Sequence, residues 1–163
     1  MTVLRDAVDA DLDRIHVLNN EAVPAVSPAD REHMARLVEL ATLAWVLVDD
    51  QDHVAAFVLL FEPGSTYTSP NYAWFCDRFD RFLYVDRVVV SPSHRGSGLG
   101  TLLYDAVAEE AGRRGSGRVT AEVNLVPPNP GSSRFHRRHG FEAVGTLELA
   151  EDYVVEMLER PIG

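Results

Sequence analysis

The fold is decided by the stretch Val88-Val89-Val90-Ser91-Pro92-Ser93-His94-Arg95-Gly96-Ser97-Gly98-Leu99-Gly100-Thr101. Three consecutive valines predict a strand that is buried on both faces. The glycines predict a turn whose backbone N–H groups can approach a ligand without an intervening side chain. Apolar residues at helical spacing from Leu99 onward predict that a helix follows. A helix N-terminus has unpaired N–H donors and a partial positive charge, so this stretch favours a phosphate or pyrophosphate.

Two other roles are compatible with a glycine-rich turn between a strand and a helix. A dinucleotide-binding fold uses a similar loop, but places it after the first strand and adds an acidic residue about twenty positions later. Here the loop follows roughly the fourth predicted strand, which disfavours that fold. The structural alternative is a glycine turn that only joins a strand to a helix.

The sequence on either side of this stretch predicts a mixed sheet with helices on its faces, of the α+β class. Ser27-Pro28-Ala29-Asp30 predicts a helix start with a capping serine, and Asp49-Asp50-Gln51-Asp52 predicts a hairpin turn. The predicted order is β-α-α-β-β-β-α-β-α-β-β. Its strands lie at 3–5, 44–48, 54–61, 82–90, 119–125, 141–149 and 153–158, and its helices begin near residues 9, 27, 99 and 130.

Length and composition exclude several classes of protein. The 163 residues predict one domain over 1–163. The net charge of −10 disfavours a nucleic-acid binder, since phosphate neutralisation drives such binding. All 15 basic residues are arginine, so chemistry through a lysine Schiff base is excluded. The single cysteine, Cys76, excludes an internal disulfide and a multi-cysteine metal site. No apolar run approaches the ~20 residues of a membrane helix, and we expect a cytoplasmic protein.

The charge is unevenly distributed along the chain. Residues 87–138 carry eight arginines against four acidic residues, inside a chain that is acidic elsewhere. This basic stretch is either a set of solvated helix faces or a seat for an anionic ligand. The acidic remainder would attract a cationic partner.

Two motifs carry a resemblance to a known family. Arg95, Gly98 and Gly100 match the pattern Arg/Gln-x-x-Gly-x-Gly/Ala after a β-strand. The second motif, an asparagine followed by a small residue, an aromatic pair and Gly-Phe, corresponds to Asn129-Pro130-Gly131-Ser132-Ser133-Arg134-Phe135-His136-Arg137-Arg138-His139-Gly140-Phe141. With this spacing and element order, residues 2–159 resemble the GNAT N-acetyltransferase superfamily.

The resemblance implies a mostly antiparallel sheet of about seven strands and direct transfer of an acetyl group from acetyl-CoA to a primary amine in a ternary complex. It implies that backbone groups of Val88, Val89 and Val90 bind the pantetheine arm, that one of their N–H groups meets the oxyanion, and that Asn129 contacts the cofactor. The pyrophosphate would be bound by the loop amides of Arg95, Gly96, Ser97, Gly98, Leu99, Gly100 and Thr101. The fourth and fifth strands would splay around the thioester, and no metal is needed.

One residue departs from the family pattern. Many family members have a tyrosine at the position of His136, where it acts as a general acid toward the departing thiolate. An imidazole with a pKa of about 6.5 could donate a proton or a hydrogen bond to the sulfur of CoA. The alternative is a histidine that packs near the cofactor and transfers no proton.

The reaction also needs a base, because an alkylamine with a pKa of about 10 arrives protonated. Glu122 and Asp86 are the candidates, since each lies on one of the two strands expected to splay. The structural alternative is that each carboxylate pairs with an arginine, Arg87 or Arg81 in the case of Asp86.

The acceptor amine is expected to be cationic and to bind an acidic, aromatic-lined pocket. Tyr84 and Asn124 are candidates for orienting it, and Tyr72 and Trp74 for walling its pocket. Whether the amine belongs to a small molecule or to a protein is left open, and a homodimer is one expected assembly. The rival hypothesis is a CoA-binding or regulatory module that has lost catalysis.

Overall fold

The computed structural model describes residues 1–163 and contains five α-helices and seven β-strands. The helices are α1 (Leu12–Glu21), α2 (Arg31–Leu40), α3 (Pro70–Arg78), α4 (Leu99–Arg114) and α5 (Pro130–Arg138). The strands are β1 (Val3–Asp6), β2 (Leu43–Val48), β3 (Val54–Phe61), β4 (Leu83–Val90), β5 (Arg118–Val126), β6 (Glu142–Ala150) and β7 (Tyr153–Pro161). None of the helices is both long enough and apolar enough to span a membrane.

The strands form one mixed sheet in the order β1-β2-β3-β4-β5-β7-β6. β4 pairs with β5 in parallel, and α4 makes the crossover connection that parallel neighbours require. The pairs β1–β2, β2–β3, β5–β7 and β6–β7 are antiparallel. The prediction of a mixed, mostly antiparallel seven-stranded sheet of the α+β class is therefore confirmed.

The chain forms two compact units. One comprises Met1–Phe61 with Val85–Leu103, and the other comprises Glu62–Tyr84 with Tyr104–Gly163. The first contains the antiparallel strands β1 to β3 and the helices α1 and α2. The second contains β5, β7 and β6 with α3 and α5. One domain over 1–163 stays a prediction.

A buried arginine organises the polar interior of the first unit. Arg87 is 7% exposed, and its Nη1 donates to Asn19 Oδ1 at 2.9 Å and to the carbonyl oxygen of Ser27 at 2.7 Å. Its Nε donates to Asp86 Oδ2 at 3.2 Å. A buried charge is tolerated only when it is paired and hydrogen-bonded, and this guanidinium meets both conditions.

Aromatic residues of α3 and its flanks form the core of the second unit. The Phe75 ring lies 5.6 Å from the Tyr84 ring and 6.1 Å from the Phe82 ring, centroid to centroid. The Trp74 ring lies over Gly145 of β6, where an added Cβ would stand 2.5 Å from Trp74 Cζ2. This close approach requires a residue without a side chain at position 145.

Helix α3 is absent from the predicted element order, which went directly from the third strand to the fourth. The helix begins with two recognisable signals, because the Ser69 hydroxyl accepts from the Tyr72 N–H and proline follows at the first helical position. The concentration of aromatic residues over this stretch predicts core and pocket positions without indicating a helical period.

The start of α2 also differs from the prediction. Asp30, rather than Ser27, is the capping residue, and its Oδ1 accepts from the His33 N–H at 2.8 Å. The backbone carbonyl of Ser27 is already an acceptor for Arg87 and Asn19. The capping residue therefore lies three residues later than the sequence pattern predicted, and the helix begins at Arg31.

Asn19→Leu tests the contribution of the buried Arg87 cluster to stability. Leucine keeps a similar volume but removes an acceptor from a buried guanidinium, so the free energy of unfolding should fall by about 1.5–3 kcal/mol. Urea denaturation measures the change. Val17→Ala, at an exposed position of the same helix, should stay within about 0.5 kcal/mol of the parent chain. An Asn19→Leu protein as stable as the parent would contradict the assignment.

Candidate functional site

The glycine loop joins β4 to α4, as the sequence predicted. At the end of β4 the Ser91 N–H donates to the carbonyl oxygen of Ala55 at 2.8 Å, and a single 3-10 turn spans Pro92–His94. The Leu102 N–H then donates to the carbonyl oxygen of Gly98 at 3.0 Å, which closes the first turn of α4. The N–H groups of Leu99 and Gly100, which begin that turn, have no acceptor within the helix.

The loop has the backbone conformation and open space that an anion would need. Gly96 has φ +79° and Gly98 has φ +82°, and no atom lies within 4 Å of a Cβ built on either residue. The first turn of α4 contains no acidic residue. The loop is solvent-exposed from Arg95 to Gly98, so a phosphate can reach its backbone.

The three valines before the loop alternate in burial. Val89 is buried, whereas Val88 and Val90 are half-buried. The prediction that the run is buried on both faces is wrong, because the face of β4 that carries Asp86, Val88 and Val90 is covered only in part. The partial exposure of Val88 and Val90 is compatible with the contacts to an extended ligand that the family resemblance implies.

Asp86 is paired with the neighbouring arginine, as one of the sequence alternatives predicted. Its Oδ2 lies 3.2 Å from Arg87 Nε, and the two side chains are 6% and 8% exposed. The carboxylate is thus part of the buried Arg87 cluster.

Glu122 and Tyr84 are brought together by the parallel pairing of β4 and β5, in which Tyr84 pairs with Thr120. The Tyr84 hydroxyl lies 2.8 Å from Glu122 Oε1 and 2.9 Å from Oε2. Asn71 of α3 adds a second donor, with Nδ2 at 2.8 Å from Oε1. Glu122 is half-buried, and its carboxylate accepts from donors on two different elements.

The other predicted acceptor-site residues have structural partners. The Tyr72 hydroxyl donates to the carbonyl oxygen of Glu62 at 2.5 Å and accepts from the Ser65 N–H at 3.1 Å. The Tyr72 ring lies 5.9 Å from the Tyr84 ring. Trp74 is packed against Phe75 and beneath the Arg78 guanidinium, which lies 3.6 Å from the ring centroid.

Asn124 and Asn129 lie at the two ends of one short connection. Asn124 is buried, and its carbonyl oxygen accepts from the Asn129 N–H at 3.2 Å. Asn129 caps α5, where its Oδ1 accepts from the Ser132 N–H at 3.3 Å. The side chain that the resemblance assigns to the cofactor is therefore also a helix cap.

His136 is buried on α5 and both of its ring nitrogens are hydrogen-bonded. Nδ1 lies 2.8 Å from the carbonyl oxygen of Ser132, and Nε2 lies 2.7 Å from the Tyr104 hydroxyl. Because a carbonyl only accepts, Nδ1 carries the proton and Nε2 accepts from Tyr104. Burial lowers the pKa of His136 and raises that of Tyr104, so both groups are neutral at pH 7.

Two of these partners, Asn71 and Tyr104, were missed in the sequence. A buried tyrosine hydroxyl usually has a hydrogen-bond partner, so Tyr104 beside the apolar stripe of α4 was a usable signal. Nothing in the sequence around Asn71 indicates that its side chain reaches β5.

Five of the eight arginines in the basic stretch are paired with carboxylates. Besides the buried pair of Arg87 with Asp86, Arg113 and Arg114 bind Glu110, and Arg118 Nε lies 3.0 Å from Glu159 Oε2. The fifth, Arg137, has Nη2 at 3.9 Å from Glu156 Oε1. The structure contains no group of three or more metal-ligating side chains that could hold an ion.

Comparisons with known proteins agree on one family. A family model described as Acetyltransferase (GNAT) family matches residues 10–141. Phosphinothricin N-acetyltransferase of Streptomyces coelicolor is 36% identical over 84 residues, which cover 46% of this chain and 46% of that protein. The match thus spans less than half the length of that curated relative.

Solved structures share the fold over nearly the whole chain. A GNAT superfamily phosphinothricin acetyltransferase from Sinorhizobium meliloti, in complex with AcCoA, has a TM-score of 0.75 at 21% identity and covers 99% of this chain and 89% of its own. Ard1 from Thermoplasma volcanium has a TM-score of 0.80 at 14% identity and covers 99% and 98%. At these identities the likeness shows the fold alone.

A buried neutral histidine makes stability depend on pH. Below about pH 6.5 the imidazole of His136 is protonated in the unfolded chain, whereas burial keeps it neutral in the folded chain. The free energy of unfolding should therefore fall as pH falls from 7 to about 5.5. His136→Gln should make this dependence shallower, whatever its effect on stability at pH 7. Urea denaturation at a series of pH values measures both slopes. Equal slopes in the two proteins would contradict the assignment of a lowered pKa to His136.

Proposed function

Since the chain belongs to the acetyltransferase (GNAT) family, we propose that it transfers the acetyl group of acetyl-CoA to a primary amine. The observation that carries the proposal is the Glu122 carboxylate, which is half-buried and held by the Tyr84 hydroxyl and the Asn71 amide. A carboxylate in such a setting can take a proton from an ammonium group.

The glycine loop fits the diphosphate of acetyl-CoA. The positive φ angles of Gly96 and Gly98, the open space in front of them and a first turn of α4 without acidic residues together favour a negatively charged ligand. The partial exposure of Val88 and Val90 supports the assignment of the pantetheine arm to this strand. Arg134 and Arg138 on α5 are exposed and available to a phosphate group.

Glu122 supplies the base in this proposal. The protonated amine gives one proton to the carboxylate, and the neutral nitrogen then forms a bond to the acetyl carbon. The carbon–sulfur bond breaks to release CoA as a thiolate, and the nitrogen becomes the amide by losing its second proton to solvent or to that thiolate. Asp86 fits the role less well, because protonating it would leave the buried Arg87 guanidinium without its neighbouring countercharge.

His136 serves in this proposal as a packing and hydrogen-bonding residue between α5 and α4. Donation of a proton to the CoA thiolate would require it to abandon either Ser132 or Tyr104. A thiol with a pKa of about 8.5 is a tolerable leaving group without such help. The engagement of both nitrogens therefore supports the alternative in which the thiolate leaves unassisted.

A small cationic amine is the acceptor we favour. The curated relative named for phosphinothricin, 36% identical over 84 residues, supports a small-molecule acceptor. The half-buried Glu122 carboxylate, held by the Tyr84 hydroxyl, supplies a negative charge that would attract an ammonium group. The alternative, a CoA-binding module without catalysis, predicts tight binding of acetyl-CoA and no release of CoA with any amine.

Gly98→Ala tests the loop assignment. The added methyl group would occupy the open space in front of the loop, so affinity for acetyl-CoA in titration calorimetry should fall at least tenfold, or about 1.4 kcal/mol. Gly64→Ala is the matched control, because Gly64 also has a positive φ and open surroundings but lies in another loop. Undiminished affinity in a folded Gly98→Ala protein would overturn the assignment.

Glu122→Gln tests the base. The side chain keeps its shape but loses the basic oxygen, so the rate of CoA release with a panel of amines should fall by roughly 10²–10⁴-fold at pH 7. The loss should shrink as pH rises, because free amine then becomes abundant. Asp86→Asn is the comparison and should retain more activity than Glu122→Gln. Full activity of Glu122→Gln near pH 7 would exclude Glu122 as the base.

A further inference from the structure

Asn71 lies in the first turn of α3, yet its side chain makes no contribution to the helix start. Ser69 is the residue that caps this helix, through the Tyr72 N–H. The Asn71 amide instead reaches β5, where Nδ2 lies 2.8 Å from Glu122 Oε1. An ionised carboxylate only accepts hydrogen bonds, so the amide must present its NH₂ group to Glu122.

The carbonyl oxygen of the Asn71 amide shows which contact orients the side chain. Asn71 Oδ1 is buried and has no hydrogen-bond partner. A buried polar atom without a partner is destabilising, and native proteins contain few of them. The amide is therefore held in this orientation by the carboxylate and by no other polar group.

Asn71 and Tyr84 together constrain one carboxylate from two elements. Asn71 donates from α3 to Oε1, and Tyr84 donates from β4 to both oxygens. Donors on two sides restrict rotation about the last torsion angle of Glu122. Hydrogen bonds to a carboxylate also favour its ionised form.

The other side chains around Glu122 add no unpaired charge: they are either uncharged or paired with an opposite charge. Alternation along β5 places Arg118 on the same face as Glu122, and Arg118 is paired with Glu159 of β7. Met157 is the register partner of Glu122 on β7. From α4, the neutral Tyr104 is close enough for the charge of Glu122 to contribute to its raised pKa.

We propose that Asn71 is a positioning residue, which fixes the Glu122 carboxylate in one orientation and keeps it ionised for the uptake of the amine proton. The inference rests on the proposed role of Glu122 as the base. It adds a residue on α3 to the machinery of the reaction, and this residue acts through Glu122 without contacting the reacting atoms.

The first test is independent of turnover. The carboxyl carbon of Glu122 is followed by NMR against pH in protein labelled with ¹³C-glutamate, and Glu122→Gln identifies its signal. Asn71→Leu removes the donor with little change in volume, so the titration midpoint of Glu122 should rise by about one pH unit. Asn71→Asp, which adds a like charge, should raise it further.

Two further variants separate positioning from support of the helix. Tyr84→Phe removes the other donor and should also raise the midpoint. Ser69→Ala weakens the start of α3 without removing a Glu122 contact, so the midpoint should not move. An unchanged midpoint in Asn71→Leu, with a shifted one in Tyr84→Phe, would overturn the proposal.

The second test uses acetyl-CoA and the most active amine of the panel. In Asn71→Leu the acidic limb of the kcat/KM profile should move to higher pH by the shift that NMR reports, with KM for acetyl-CoA unchanged. A lower kcat with no movement of the limb would overturn the proposal. If instead Glu122→Gln keeps full activity, the proposed base is wrong, while the NMR titration still decides whether Asn71 controls Glu122.

Discussion

A charge taken out of water must be met by hydrogen bonds, and this constraint explains how the polar interior of the protein is built. Arg87 is met by Asn19, Ser27 and Asp86. Glu122 is met by donors from α3 and β4. In each case the partners include segments distant in sequence, so satisfying one charge also fixes the position of a helix. In both units, therefore, the hydrogen bonds that satisfy the buried charge also position a helix.

The backbone of the candidate site could be predicted from the sequence, whereas its side-chain pairing could not. Glycines, valines and an apolar stripe are local signals, and they predicted the strand, loop and helix around Gly98 correctly. Glu122 was singled out because a carboxylate on a strand is unusual. Its partner Asn71 was missed because the contact joins positions 51 residues apart, and α3 itself was missed because its aromatic residues suggested core packing. Such contacts depend on register and helix placement, which one sequence does not encode locally.

The surroundings of His136 show that one buried imidazole needs two hydrogen-bonding partners. An imidazole buried in α5 needs an acceptor for one nitrogen and a donor for the other. The carbonyl of Ser132 provides the first and the hydroxyl of Tyr104 provides the second. The aromatic rings of Tyr104, Phe135 and Phe141 enclose the imidazole, with centroids 5.2–5.7 Å away. The phenol of Tyr104, carried by α4, is thus directed at the imidazole on α5.

The packing of Trp74 on Gly145 has a consequence for how this sequence can diverge. Trp74 lies one helical turn after Asn71, so the indole that rests on β6 and the amide that faces Glu122 belong to the same stretch of α3. Any side chain at position 145 would displace the indole, and through it the turn that carries the amide. The constraint on position 145 of this edge strand therefore comes from its packing against α3. A residue with a side chain there can be accommodated only if the residue at position 74 changes as well.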